Sequence, residues 1–390
     1  GEGYDRKNLK IPQNQEELLA EIAETVGKDH IAAISFGGAP IDFSFEKNVG
    51  AILHMYLGGQ AVGESVADLI SGEVNPSGKL AETIPFSEKD TPAWRYFAPP
   101  NDDVEYRESI FVGYRYYETF HVPVKYPFGY GLSYTSFSYS ELNVPEVYSG
   151  GKIQIRFKIK NIGKVSGAEI AQLYVCPNES DVIRSHIELK GFQKIYLHPG
   201  EEKEVILELD ERSFSVYDVE KKAFSMLSGK YQICIGASVH DLQLKANMEV
   251  VGNRYFRNER ELFPDYFREQ PHGMEISAEQ FYQLLGGEPK HDKEKKRGEY
   301  TVYDSYQDVV NVSMFGKFVR GVVHIGLKIM LRGKSEQDPA FKMVKMGVEE
   351  GNLEGLIATS GGIATPKLID MLVYNANKKY LQAFKRLLKK

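Results

Sequence analysis

The sequence predicts a multidomain protein of α/β plus all-β class: a partial α/β layer, an antiparallel β-sandwich, then a helical extension. Three observations carry this reading. Short apolar runs alternate with helix-like segments over the first ninety or so residues. Further on, Ile153, Ile155, Phe157 and Ile159 alternate without a fault with Lys152, Gln154, Arg156 and Lys158. From about residue 252, helical segments appear in a charged setting, two of them opening on Asp-Pro or Thr-Pro pairs.

In the first part, Pro12 fits the first turn of a helix carrying Leu18, Leu19, Ile22 and Val26 on one face. "GKDH" breaks that helix. "IAAISF" reads as a short buried strand ending at Gly37-Gly38, and "AILHMYL" as a second ending at Gly58-Gly59. A helix through "AVGESVADLI" follows, and "SGKLAETIPF" returns to extended structure. Such alternation signals a parallel sheet. About three strands are too few to cover both faces of a doubly wound sheet, so the layer reads as half a domain. With most of a connector dense in Pro, Gly and Tyr, it is assigned to residues 1–134.

Residues 135–251 hold about seven alternating strands separated by turns such as "HPGEE", the pattern of an antiparallel sandwich. The face bearing Ile153, Ile155, Phe157 and Ile159 is expected to point inward. Residues 252–390 are assigned to a linker and helices. There, Ser277 and Gln280 are spaced as a capping box, Gly286 is placed to stop the helix, and "KHDKEKKRGEY" reads as a solvated linker. The run "SMFGKFVRGVVHIGLKIML" is apolar enough to suggest a membrane segment. Yet Lys317, Arg320, His324 and Lys328 form one polar stripe, which a spanning helix would not carry through a bilayer core. The expectation is a helix over 306–332 docked on the protein through Phe315, Phe318, Val322 and Ile329, with its cations in water. A basic amphipathic helix lying on a membrane surface is the alternative.

Composition narrows the chemistry. A formal charge of −6 argues against a nucleic-acid partner. Cys176 and Cys234 both sit in alternating apolar runs and read as buried thiols, which favours a reducing, cytoplasmic setting. Nine histidines show no metal-ligand spacing, so no metal is implied. "ISFGGAP" and "GGQAVGE" lack the glycine spacing of nucleotide-binding turns, and no cofactor follows from them. Tyr-rich stretches suit either sugar faces or sheets. On local features alone, the Glu2 of "GEGYDR", flanked by glycines, is a solvated loop carboxylate.

Taken together, "EGYDR", "MYLGGQAVGESVADLISGEVNPSGKLAETIPF", "VGYRYYETFHVPVKYPFGYGLSYTSFSYSEL" and "LKGFQKIYLHPGE" resemble glycoside hydrolase family 3, especially its clostridial-type members. The resemblance implies a (β/α)8 barrel, an α/β sandwich and a fibronectin type III-like domain in sequence. On that pattern, residues 1–134 are the C-terminal half of the α/β sandwich domain and 135–251 the fibronectin-like domain. The helical tail resembles an extension of the clostridial-type members. Glu2 takes the place of the general acid/base of a β-glucosidase. The attacking Asp belongs to the barrel, in a stretch that this chain does not contain, so the chain reads as a C-terminal fragment. The implied partners are a β-glucoside or oligosaccharide substrate and the barrel of the same protein; a homo-oligomer is left open. "SFGGAPIDFSFEKN" departs from the family pattern, with Phe45 where Trp is commoner. Two other readings stand beside this one: a carbohydrate-binding or scaffolding fragment, and a nucleotide-binding α/β protein supported only by "ISFGG".

Overall fold

The computed structural model describes residue 6 and residues 8–97, 104–253, 258–268, 273–288, 295–335, 338–349 and 351–388. It divides into two compact units, residues 8–289 and residues 290–390 with 1–7.

The first unit opens with α1 (Gln13–Val26), β1 (Ala32–Ser35), β2 (Ala51–His54) and α2 (Val62–Ser71). β1 and β2 pair in parallel, from Ala32 opposite Ala51 to Ser35 opposite His54. The third expected strand does not extend this sheet. β3 (Ile84–Pro85) pairs antiparallel with β4 (Val124–Tyr126), and Pro85, which has no N–H, limits the ladder to two residues. The small core beneath holds Phe43, Phe45, Val49 and Ile84, with Leu19 of α1 and Ile52 of β2 against it. Leu18, Ile22 and Val26, expected on the same buried face of α1, are exposed, because a two-stranded sheet offers so little surface to cover. Phe45 is buried, so the smaller ring is accommodated where the family pattern has Trp.

The connector contains α3 (Tyr114–Thr119), whose Tyr114, Tyr116 and Tyr117 are all buried. The sandwich follows as β5 (Phe137–Asn143), β6 (Val147–Tyr148), β7 (Ile153–Asn161), β8 (Gly167–Pro177), β9 (Glu188–Leu197), β10 (Glu202–Leu209), β11 (Ser215–Asp218), β12 (Ala223–Met226), β13 (Gly229–Gly236) and β14 (Leu242–Val250). One sheet has the order β10-β7-β5, the other β6-β14-β13-β8-β9, and β11 with β12 forms a separate hairpin. Ile155, Phe157 and Ile159 are fully buried against Leu173, Val175 and Ile233, with Ile153 partly buried at the margin. The inward face is the expected one, since a period of two leaves only one way to bury all four side chains. Cys176 and Cys234 are free thiols with their Sγ atoms 3.8 Å apart.

The long motifs behind the family resemblance do structural work at the junction. Leu80 N–H donates to Tyr130 and Gly129 N–H donates back to Leu80, both at 2.8 Å, joining "NPSGKL" to "PFGYGLSYT". The Asn75 carboxamide oxygen accepts from Ser133 Oγ and Tyr134 N–H, and its nitrogen donates to the Ser166 carbonyl. A Cβ on Gly131 would come within 2.3 Å of the Gly78 carbonyl, so no larger residue fits. Lys79 Nζ lies 3.0 Å from Glu169 of β8 and donates to the Gly131 carbonyl at 2.9 Å.

Residues 258–288, grouped by sequence with the helical extension, pack on the connector instead. Their helices are α4 (Glu259–Leu262) and α5 (Ala278–Leu285). Phe263, Tyr266, Met274 and Ile276 join Phe111, Tyr116 and Phe120 in one apolar cluster. Ser277 caps α5 by accepting from Gln280 N–H, and Gly286 ends it in the left-handed conformation. The reciprocal arm of the capping box is replaced, because Gln280 Oε1 accepts from Asp265 N–H.

The second unit is helical: α6 (Tyr306–Asn311), α7 (Met314–Met330), α8 (Pro339–Glu349), α9 (Leu353–Thr359), α10 (Pro366–Ala376) and α11 (Tyr380–Leu388). Val309, Val310, Val319, Leu353, Ile369 and Leu372 form its core. Two sequence expectations fail here. The helix expected over 306–332 is two helices, because Ser313 turns extended and its hydroxyl caps α7 at Gly316 N–H. Of the four side chains expected to dock, only Phe315 does. Phe315 and Val323 flank the buried Val319, whereas Phe318, Val322 and Ile329 face solvent. Similarly, the last predicted helix divides at Asn377. Its carboxamide accepts from the N–H groups of Gly298 and Tyr300 and donates to the Tyr300 carbonyl, pinning that segment to the end of α10.

Candidate active-site surface

Glu2, the acid/base candidate, lies outside the described residues. The chain that follows it is tied to the first unit at Leu9, whose carbonyl accepts from Asp42 N–H at 3.0 Å. Asp42 is buried and its carboxylate accepts from Ser44 N–H, closing a turn around Phe43, which is held at φ 49°. A non-glycine residue in the left-handed region marks a backbone that its surroundings over-determine.

This turn stands at the carboxyl ends of β1 and β2, the edge at which open parallel sheets gather functional groups. Four side chains collect there. Ser35 Oγ and His54 Nδ1 share a 2.8 Å hydrogen bond across the β1–β2 register. The His54 and Tyr56 rings meet edge-on at 4.1 Å, and Phe43 covers the other side of the imidazole at 5.3 Å. Tyr56 is also in the left-handed region, at φ 48°. Its phenol lies beside Glu82, the fourth member, without a well-formed hydrogen bond.

The electrostatics follow from burial. Desolvation lowers the His54 pKa, which favours the neutral imidazole. Burial, partly offset by the Tyr56 hydroxyl, pushes the Glu82 carboxyl above the ordinary carboxylate range. Burial and then the Glu82 charge push the Tyr56 phenol up as well. His54 Nε2, Tyr56 Oη, Glu82 Oε1 and the neighbouring Thr83 Oγ1 are all buried and have no hydrogen-bond partner among the described residues. Each such atom costs about 1–3 kcal/mol unless water, ligand or further protein meets it. The cluster therefore offers hydrogen bonds. Glu82 lies beside Tyr56, and among the described residues no carboxylate bonds to His54 Nε2 to orient the ring. Sequence reasoning missed this group. The available signal was the two-residue spacing of His54 and Tyr56 within the otherwise apolar run "AILHMYL".

The neutral imidazole has a measurable consequence. With unfolded histidine titrating near 6.5, the unfolded chain takes up the proton first as pH falls, and His54 then costs stability below about pH 6.5. Between pH 7.5 and 5.5 the unmodified chain should lose more Tm than His54→Gln. Equal slopes would mean that the imidazole protonates freely in the fold.

Residues 1–134 match the family described as the glycosyl hydrolase family 3 C-terminal domain. Residues 1–134 therefore carry a glycosyl hydrolase family 3 C-terminal domain. Residues 169–239 match the fibronectin type III-like domain, within the sandwich described above. Thermostable beta-glucosidase B of Acetivibrio thermocellus is 44% identical over 251 residues, covering 64% of this chain and 33% of its own length. An exo-alpha-(1->6)-L-arabinopyranosidase of Bifidobacterium breve is 36% identical over 65% of the chain and 33% of its own length. Among solved structures, a Bifidobacterium adolescentis GH3 beta-glucosidase superposes with a TM-score of 0.61 at 36% identity, over 65% of this chain and 37% of that one. Beta-glucosidase 3B of Thermotoga neapolitana, solved with alpha-D-glucose, gives 0.60 at 35% identity, over 65% of this chain and 37% of that one. The chain thus spans about a third of the length of the curated relatives it matches.

Proposed function

We propose that residues 1–251 supply the acid/base side of a retaining β-glycosidase that hydrolyses terminal non-reducing β-D-glucosyl residues. The observation that carries this is "EGYDR" at the head of a family 3 C-terminal domain, in a chain 44% identical over 251 residues to a named beta-glucosidase. Retaining hydrolysis uses two carboxyl groups about 5 Å apart, one attacking the anomeric carbon and one protonating the leaving oxygen. Glu2 serves as the second. The attacking carboxylate comes from polypeptide outside this chain, in the barrel that the family resemblance implies. Desolvation near that partner keeps Glu2 protonated at neutral pH. Because relatives of similar identity bear beta-glucosidase and arabinopyranosidase names, the choice of sugar is assigned to the barrel-side pocket. A carbohydrate-binding role without hydrolysis is the second reading; Tyr114, Tyr116 and Tyr117 of the connector are buried, which leaves Tyr106 and Tyr134 as its exposed rings.

The test joins the chain to a family 3 barrel domain and follows an aryl β-D-glucoside by NMR. The joined protein should release the β-anomer first, while the 390-residue chain alone stays at the buffer rate. Turnover by the chain alone that survives Glu2→Ala would overturn the reading.

A further inference from the structure

The second unit carries two helices that each expose an apolar side among the described residues. Stepping ~100° per residue, Met314, Phe318, Val322, Ile325 and Ile329 fall within an arc of about 80° on α7. Phe318, Ile325 and Ile329 are 67, 60 and 70% exposed. On α11, Tyr380, Leu381, Phe384, Leu387 and Leu388 form a second exposed arc, with the buried Ala383 just beyond its Leu387 edge.

The charges borne by these two helices are of one sign, although Arg386 of α11 is paired with Asp370 of α10 at 2.7 Å. Val309 to Ser335 contains Lys317, Arg320, Lys328, Arg332 and Lys334 and no acidic residue. Met371 to Lys390 contains six Lys and Arg and again no Asp or Glu. Residues 290–390 hold 19 Lys and Arg against 11 Asp and Glu, a formal +8 in a chain of −6 overall. Lys317, Arg320 and Lys328 border the α7 arc along one side, with chains long enough to turn toward a charged layer while their stems lie on apolar surface.

We infer that α7 and α11 dock the protein on an anionic lipid bilayer, lying in the headgroup plane. The chemistry selects this occupant. A nucleic acid would meet the cations but would not bury Phe318, Ile325 and Ile329. A second copy would bring together two modules of like charge, which opposes association. An anionic bilayer takes both parts: apolar side chains enter the acyl boundary and the cations meet lipid phosphates. No helix among the described residues is long and apolar enough to cross a membrane, so the contact is peripheral.

The experiment is co-sedimentation of the full chain with vesicles of phosphatidylcholine alone or with about one-third phosphatidylglycerol, at ~0.1 M salt. Partitioning onto the anionic vesicles should be at least about tenfold stronger than onto phosphatidylcholine. Each cation near such a surface is worth about 1 kcal/mol, or fivefold. Lys317→Gln, Arg320→Gln and Lys328→Gln together should therefore weaken binding about 100-fold. Phe318→Ser with Ile325→Ser should weaken it at least about tenfold with an unchanged far-UV CD spectrum, because both side chains are already in water. No binding, equal binding to both vesicles, or binding indifferent to either set of substitutions would overturn the proposal. So would a concentration-dependent dimer that Phe318→Ser abolishes, since a second copy would then be the occupant.

Discussion

Once the chain is joined to its attacking carboxylate, Glu2→Ala should slow the hydrolysis of alkyl and weakly activated aryl glucosides by about 10²–10⁴-fold, the usual contribution of a positioned proton donor. The size of the loss should follow the leaving group. A dinitrophenolate departs without protonation, so its glucoside should lose little in formation of the glycosyl-enzyme. In the second step the same carboxyl activates water, so hydrolysis of the intermediate should become rate-limiting for that substrate. Azide, which needs no base, should restore turnover and yield a glycosyl azide of retained configuration. A uniform loss across leaving groups with no azide rescue would remove Glu2 from the acid/base role while leaving family membership untouched.

Lys79→Met should destabilise the first unit by about 3–5 kcal/mol. Lys79 and Glu169 are paired at 3.0 Å with side chains only 11 and 7% exposed. Removing one partner strands the other charge in a dry junction, and that uncompensated burial outweighs the net value of the pair. The Gly131 carbonyl loses its donor in the same change. Glu169→Leu in the Lys79→Met background should recover most of the loss, because two apolar side chains of similar volume need no hydration. Urea unfolding of the single and double variants measures both. A single-variant change below about 1 kcal/mol would show that water reaches the junction.

The sandwich was the most legible part of the chain. Each of its long strands needs only a two-residue alternation to choose its buried face, and Ile155, Phe157 and Ile159 lie where that alternation puts them. The helical extension was less legible, for a definite reason. α7 is apolar on two sides, and periodicity alone cannot say whether the Val319 side or the Phe318 side meets the core. Its division from α6 at Ser313 and that of α10 from α11 at Asn377 depend on what each side chain bonds to. For Asn377 the partners are Gly298 and Tyr300, nearly eighty residues earlier. The polar cluster at the strand ends was invisible for a related reason: Ser35, His54 and Glu82 are separated by turns and helices whose lengths carry no distance information.

From sequence alone came the class of each domain, the inward face of the sandwich, the family resemblance, and through it the proposed role of Glu2. These are carried by local periodicity or by long motifs, which survive without coordinates. Tertiary structure alone decided that "NPSGKL" and "PFGYGLSYT" close a buried Lys79–Glu169 junction, that residues 258–288 cover the connector tyrosines, and that the second apolar side of α7 remains in water. Each depends on which surfaces meet once the chain has folded, and burial energy is settled between segments far apart in sequence.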